Sequence, residues 1–139
     1  MLAPIPFISI RSTAMGRSLL ALAVVAASSL LIALPARAQN AEAGQKAFKQ
    51  QCGLCHDSQA GKNRIGPSLF GVVGRKSGSV EGFHYSDANK NSGITWDEAT
   101  LDKYLADPRG VVPGTTMTYA GVKNDQQRKD IIAYLATLH

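Results

Sequence analysis

The sequence predicts an all-α domain in which three main helices, with one or two short ones, are joined by long loops that wrap something other than protein. Three observations lead there. Apolar residues recur at helical spacing in three segments, two of them with local start signals. No run alternates apolar and polar residues as a half-buried strand would. The stretches 61–82 and 108–121 are rich in Gly and Pro and longer than ordinary connections, which is unusual in a compact domain unless they enclose a ligand.

Residues 1–38 read as a cleavable secretory signal. Arg11 and Arg17 form a basic flank, Leu19 to Leu34 is apolar apart from Ser28 and Ser29, and Ala36-Arg37-Ala38 is a small-x-small cleavage site, with the cut expected after Ala38. Met15 is an alternative start that leaves the signal complete. An uncleaved anchor competes, because the run is near the lower limit for a membrane span, but Pro35 and the Ala-x-Ala site favour cleavage. What remains, 39–139, has the length of one small domain. The signal contains Arg11, Arg17 and Arg37 and no acid, so most of the formal +5 of the whole chain leaves with it. The basic balance is therefore no argument for nucleic acid, which is not expected as a partner.

The first helix is expected from about Glu42 to Gln51, with Ala43, Ala47 and Phe48 at helical spacing and Gly44 small enough for another helix to approach closely. A short turn of helix is expected near Ser86 to Asn91, capped by Ser86 or Asp87 and ended by Gly93. Thr95-Trp96-Asp97-Glu98 has the form of a capping box, which predicts a helix starting at Thr95 with Leu101, Tyr104 and Leu105 on one face and a stop at Asp107-Pro108. The last helix opens at Asn124, with Gln127 at the box position, and its stripe of Ile131, Tyr134, Leu135 and Leu138 predicts a run almost to His139.

The first helix ends on Cys52-Gly53-Leu54-Cys55-His56. At C-x-x-C-H spacing two thiols can add across the vinyl groups of one haem while the next imidazole reaches its iron. A thioredoxin-like dithiol would belong after a strand in a βαβ pattern, and a zinc site would need further Cys or His at finger-like spacing, where only the isolated His84 and His139 remain. A Cys52–Cys55 disulfide is the other alternative. Covalent haem is the preferred reading, and export suits it, since free thiols in an oxidising compartment need a chemical fate. Without the haem the chain is expected to be poorly folded.

His56 would fill one axial position of the iron. Met1 and Met15 lie in the signal, so Met117 is the sole methionine of 39–139. It stands in Pro113-Gly114-Thr115-Thr116-Met117, a segment too constrained for a helical core stripe, and is the expected second ligand. His84, in a loop between Phe83 and Tyr85, and His139, at the chain end, are weaker candidates. A thioether ligand favours ferrous iron, raises the potential and leaves no vacant position, which suits electron transfer rather than substrate binding.

The chain resembles the class I cytochromes c, in particular the branch of mitochondrial cytochrome c and bacterial cytochrome c2. The resemblance runs from Ala41 to Leu138 through Cys52-Gly53-Leu54-Cys55-His56, Gly66-Pro67-Ser68-Leu69, Gly71-Val72-Val73-Gly74-Arg75-Lys76, Tyr85-Ser86-Asp87-Ala88-Asn89-Lys90, Gly93-Ile94-Thr95-Trp96 and Pro113-Gly114-Thr115-Thr116-Met117. It implies a small cytochrome c fold holding one haem c, with Cys52 and Cys55 as covalent attachment points and His56 and Met117 as axial ligands. It further implies that the Pro67 carbonyl orients His56, that Arg75, Tyr85 and Trp96 surround the haem propionates, and that Asn89, Tyr104 and Thr115 form a polar network beside Met117. Gly44, Phe48, Ile131 and Tyr134 match the contact between the first and last helices. Three positions depart from the lysine ring of mitochondrial relatives: Gln51, Gly110 and Thr116. Tyr119 replaces a common phenylalanine.

The function implied is that of a soluble, exported, periplasmic monohaem electron carrier and not an enzyme. Expected partners are membrane redox complexes met transiently by a monomer: a bc1-type donor, and a terminal oxidase or photosynthetic reaction centre as acceptor. A haem enzyme or gas sensor is the rival from another class, disfavoured because no distal acid or base is evident; a dedicated partner of one dehydrogenase or reductase is a third reading.

Overall fold

The structure, a computed structural model, describes residues 39–139, so the signal expected over 1–38 lies outside the described residues. These form five helices: α1 (Ala41–Gln51), α2 (Asp87–Asn91), α3 (Glu98–Ala106), α4 (Pro108–Val111) and α5 (Asp125–Leu135). Among the described residues the sole strand-like pairing is an isolated antiparallel bridge between Lys76 and Thr95.

Asn40 starts α1: its side-chain oxygen accepts from the backbone N–H groups of Glu42 at 2.9 Å and Ala43 at 3.1 Å, satisfying two donors that a helix start leaves open. The Asn40 N–H in turn donates to Asp130 Oδ1 at 2.9 Å, which ties this start to α5. Where the helices cross, a Cβ on Gly44 would collide with the backbone carbonyl of Asp130, so only glycine permits the approach. Phe48 and Tyr134 also pack between these two helices, ring centroids 5.3 Å apart.

The third helix begins two residues later than the capping box implies. Asp97 is the cap, its carboxylate accepting from Thr100 N–H at 2.7 Å, while Thr95 is drawn away into the bridge with Lys76. The loop pairing, reinforced by Trp96 N–H donating to the Arg75 carbonyl at 2.9 Å, competes with the cap for the same backbone and wins. Pro108 does end α3, but it also opens α4: Pro is suited to a first helical turn, and Asp107 caps it by accepting from Gly110 N–H at 3.1 Å. The segment read as loop from Pro108 therefore starts with one turn of helix.

At α5 the Asn124 side chain accepts from Gln127 N–H at 2.9 Å as expected. The helix ends at Leu135, short of the chain end, because Thr137 turns both its N–H (2.9 Å) and its hydroxyl (2.7 Å) onto the Tyr134 carbonyl and tightens the last turn. Arg128, on the buried side of this helix, donates to Asp102 of α3 at 2.7 Å, to Asp125 at 3.0 Å and to the Val122 carbonyl at 3.0 Å. The core proper runs from Ala47 and Phe48 of α1 through Ile131, Ile132 and Leu135 of α5 to Leu101 and Tyr104 of α3, with Val72, Trp96, Val112 and Val122 from the connecting segments.

Candidate haem-binding site

Beside this core opens a cleft of about 1300 Å³ of atom-free space, part of it open to solvent. Cys52, Cys55, His56, Pro67, Arg75, Tyr85, Asn89, Trp96, Tyr104, Thr115 and Met117 all line it, so residues spread over two thirds of the described chain converge on one cavity. His84 and His139 are exposed and lie outside it.

The α1 end sets one wall. Cys52 is the C-cap residue, its N–H bonded to the Phe48 carbonyl at 2.8 Å, and the turn that follows brings Cys55 and His56 back over it through bonds to the Cys52 carbonyl at 3.0 and 2.9 Å. Cys52 and Cys55 form no disulfide with each other. Burial pushes the Cys52 thiol up to about 11, with Cys55 adding to the shift. A dithiol redox centre needs the opposite, a depressed thiol that supplies thiolate near neutrality.

His56 is oriented by its neighbours. Its Nδ1 donates to the Pro67 carbonyl at 2.8 Å, leaving the other ring nitrogen as the acceptor. Burial holds the imidazole pKa below its usual value; the Pro67 bond acts the other way and Arg75 in the same direction. Gly66, quoted in a motif but given no role by the sequence, makes this possible. A Cβ there would overlap His56 Cε1 and lie 2.6 Å from Nδ1, so the imidazole rests against the bare backbone.

Met117 enters the cleft from the segment after α4. Its sulfur accepts from the Tyr104 hydroxyl at 3.7 Å, and its N–H donates to Thr115 Oγ1 at 3.3 Å. Thr115 Oγ1 donates to Asn89 Oδ1 at 2.9 Å, which also accepts from Ser86 Oγ at 2.9 Å. The short helix α2 thereby fixes the methionine segment through a buried asparagine. Tyr104 rests against Trp96, ring centroids 4.6 Å apart.

Arg75 is half-buried and makes an unusual set of contacts. Its outer nitrogens donate to the carbonyls of Phe70 at 2.8 Å and Ser68 at 3.0 Å, and among the described residues no carboxylate pairs with it. Its Nε, and the hydroxyl of Ser77, are buried without hydrogen-bond partners, and both residues face the cleft. Burial lowers the Arg75 pKa and raises that of Tyr85 nearby. A guanidinium and a hydroxyl in this state call for an anionic acceptor inside the cavity. A predominantly apolar slot, a thiol pair, a fixed imidazole, a thioether and unsatisfied donors together fit a macrocycle with an apolar plate, reactive vinyl groups, a soft metal and carboxylate arms. Ser77 and Gly66 are the members that the sequence did not single out, a lone serine in a Gly-rich loop having no spacing signal.

Comparison with known proteins agrees. The family model described as cytochrome c matches residues 41–139. Cytochrome c2 of Blastochloris viridis is 54% identical over 102 residues, covering 73% of this chain and 80% of the relative. Cytochrome c2 of Rhodomicrobium vannielii is 58% identical over 97 residues, covering 69% and 77%. The solved structure of cytochrome cH from Methylobacterium extorquens superposes with a TM-score of 0.66 at 49% identity, covering 70% of this chain and 98% of that one. The chain thus belongs to the class I cytochrome c family, in the branch of mitochondrial cytochrome c and bacterial cytochrome c2: an electron-transfer protein, not an enzyme, with covalently attached haem c.

Proposed function

We propose that this chain is a soluble, exported monohaem carrier that passes single electrons between membrane redox complexes, with its haem joined to Cys52 and Cys55 and its iron held by His56 and Met117. The observation that carries the reading is that His56 and Met117 line the same cleft and each is held by a second group, the Pro67 carbonyl and the Tyr104 hydroxyl. The haem, when bound, supplies reversible one-electron chemistry. The protein's own residues do the rest. Pro67 fixes the tautomer of His56, keeps its acceptor nitrogen free for the metal and raises its basicity. The Ser86–Asn89–Thr115 chain holds Met117 in place in both oxidation states, and its polar groups tune the potential. Arg75, Tyr85 and Trp96 surround the propionate end, with Arg75 supplying charge, and the apolar walls keep water out.

The signal reading of 1–38 supports a periplasmic location, and the resemblance of the motifs to the cytochrome c2 branch is the ground for a bc1-type donor with a terminal oxidase or photosynthetic reaction centre as acceptor, met transiently by a monomer. Fast turnover between such partners asks for a small, weak, partly electrostatic interface. The test is optical. The oxidised holoprotein is expected to show the weak sulfur-to-iron charge-transfer band, and Met117→Ala is expected to abolish it and lower the potential. A band and potential unchanged in that variant would refute Met117 as the ligand.

A further inference from the structure

Tyr119 and Gln51 come from distant parts of the chain, and both line the cleft. The Tyr119 hydroxyl donates to Gln51 Oε1 across 68 residues of sequence. Gln51 is the last residue of α1 and the neighbour of Cys52; Tyr119 lies two residues beyond Met117. The segment around Met117 is otherwise sparsely fastened. Before Met117 it is held by Thr115, and after it the next backbone tie is Val122 N–H to the Leu105 carbonyl at 2.7 Å. The Tyr104 contact to the sulfur is weak, because a thioether is a poor acceptor. Between Thr115 and Val122, the Gln51–Tyr119 bond therefore supplies the restraint that ties the segment to α1.

The chemistry of the pair is mutually dependent. A leucine at 51 has neither acceptor nor donor to offer and a phenylalanine at 119 has no hydroxyl. The pair present here makes the bond with neutral groups, whose interaction is little screened by salt. We propose that Gln51 and Tyr119 form a latch that holds the Met117 segment against the end of α1, making them positioning residues that set how readily Met117 yields its place to an incoming ligand. This rests on Met117 being the axial ligand proposed above.

The experiment uses ferric holoprotein and imidazole as the probe, following the rate at which imidazole displaces the native ligand. Tyr119→Phe and Gln51→Leu are each expected to speed displacement roughly fivefold, the equivalent of one ordinary hydrogen bond. The double variant is expected to be no faster than either single one, and Gln51→Glu, which keeps an acceptor, to return to the parent rate. Unchanged single variants, or a double variant whose effect is the product of the two, would overturn the latch. If Gln51→Leu fails to incorporate haem, Tyr119→Phe, which removes one oxygen atom, decides the question by itself. The charge-transfer band of the parent protein separates the two readings: its absence removes the ligand assignment and the latch with it, whereas its presence with unchanged imidazole rates removes the latch only.

Discussion

Gly66 has no side chain because the His56 ring occupies the place where one would be. Gly66→Ala puts a methyl 2.6 Å from the nitrogen that bonds Pro67, so the imidazole or the loop must move. The expected cost is about 2 kcal/mol of holoprotein stability, as for other overpacked sites, read as a lower denaturant midpoint, together with a shifted potential because the His56–Pro67 bond lengthens. A Gly66→Ala protein with parent midpoint and potential would show that the ring has room to spare. At this scale the sequence was informative where a residue type is chemically rare, as with Cys52, Cys55, His56 and the single methionine of 39–139. It was silent where the role depends on what is absent. Nothing in Gly66 announces a ring laid against it, and nothing in Ser77 distinguishes a hydroxyl without a partner in a cavity from one in solvent.

Asp97 shows how a helix start is chosen by its surroundings. Its carboxylate pKa is depressed, first by the Thr100 N–H it accepts from, then by the Thr100 hydroxyl. A depressed carboxylate contributes stability that is complete above its unfolded value and is lost as the pH falls through its lower folded value. Parent protein is therefore expected to lose unfolding midpoint between about pH 5 and pH 3, and Asp97→Asn, which still caps but carries no charge, to show a shallower decline; equal slopes in the two proteins would refute the assignment. Helix α1 was legible from its apolar spacing, and the starts of α2 and α5 from their Ser86 and Asn124 caps, whereas the stripe reaching Leu138 carried α5 past its end at Leu135. The start of α3 was not, since the Thr95 signal is local and the Lys76 partner that overrides it lies in a distant loop. The same holds for α4, where Pro108 reads equally well as the end of one helix or the beginning of another. Arg128 is a further instance: no sequence signal marks this charged residue at the buried side of α5, whose partners are Asp102 on a different helix, Asp125 and the Val122 carbonyl.

The whole molecule has one body of apolar side chains among the described residues, and the cleft is cut into it. Val72, Trp96, Leu101, Tyr104 and Leu135 belong both to the buried core and to the cavity wall. A domain of about 100 residues buries a modest core even when complete. Haem-free protein, made as Cys52→Ser with Cys55→Ser, is expected to lose most of its helical circular-dichroism signal and its cooperative thermal transition. A sharp transition in that protein would mean that the helices pack without the cofactor. The long Gly- and Pro-rich stretches were legible as wrapping, whereas their hydrogen-bonded course was not, because it consists of contacts such as Gly74 N–H to the Trp96 carbonyl that join separate segments. Tyr104 sits where these arrangements meet, its ring on Trp96 and its hydroxyl on the Met117 sulfur. Any substitution there alters folding and electrochemistry at once. Evolutionary adjustment of this carrier to a new donor or acceptor therefore has little play at the tyrosine, where the two traits are inherited as one.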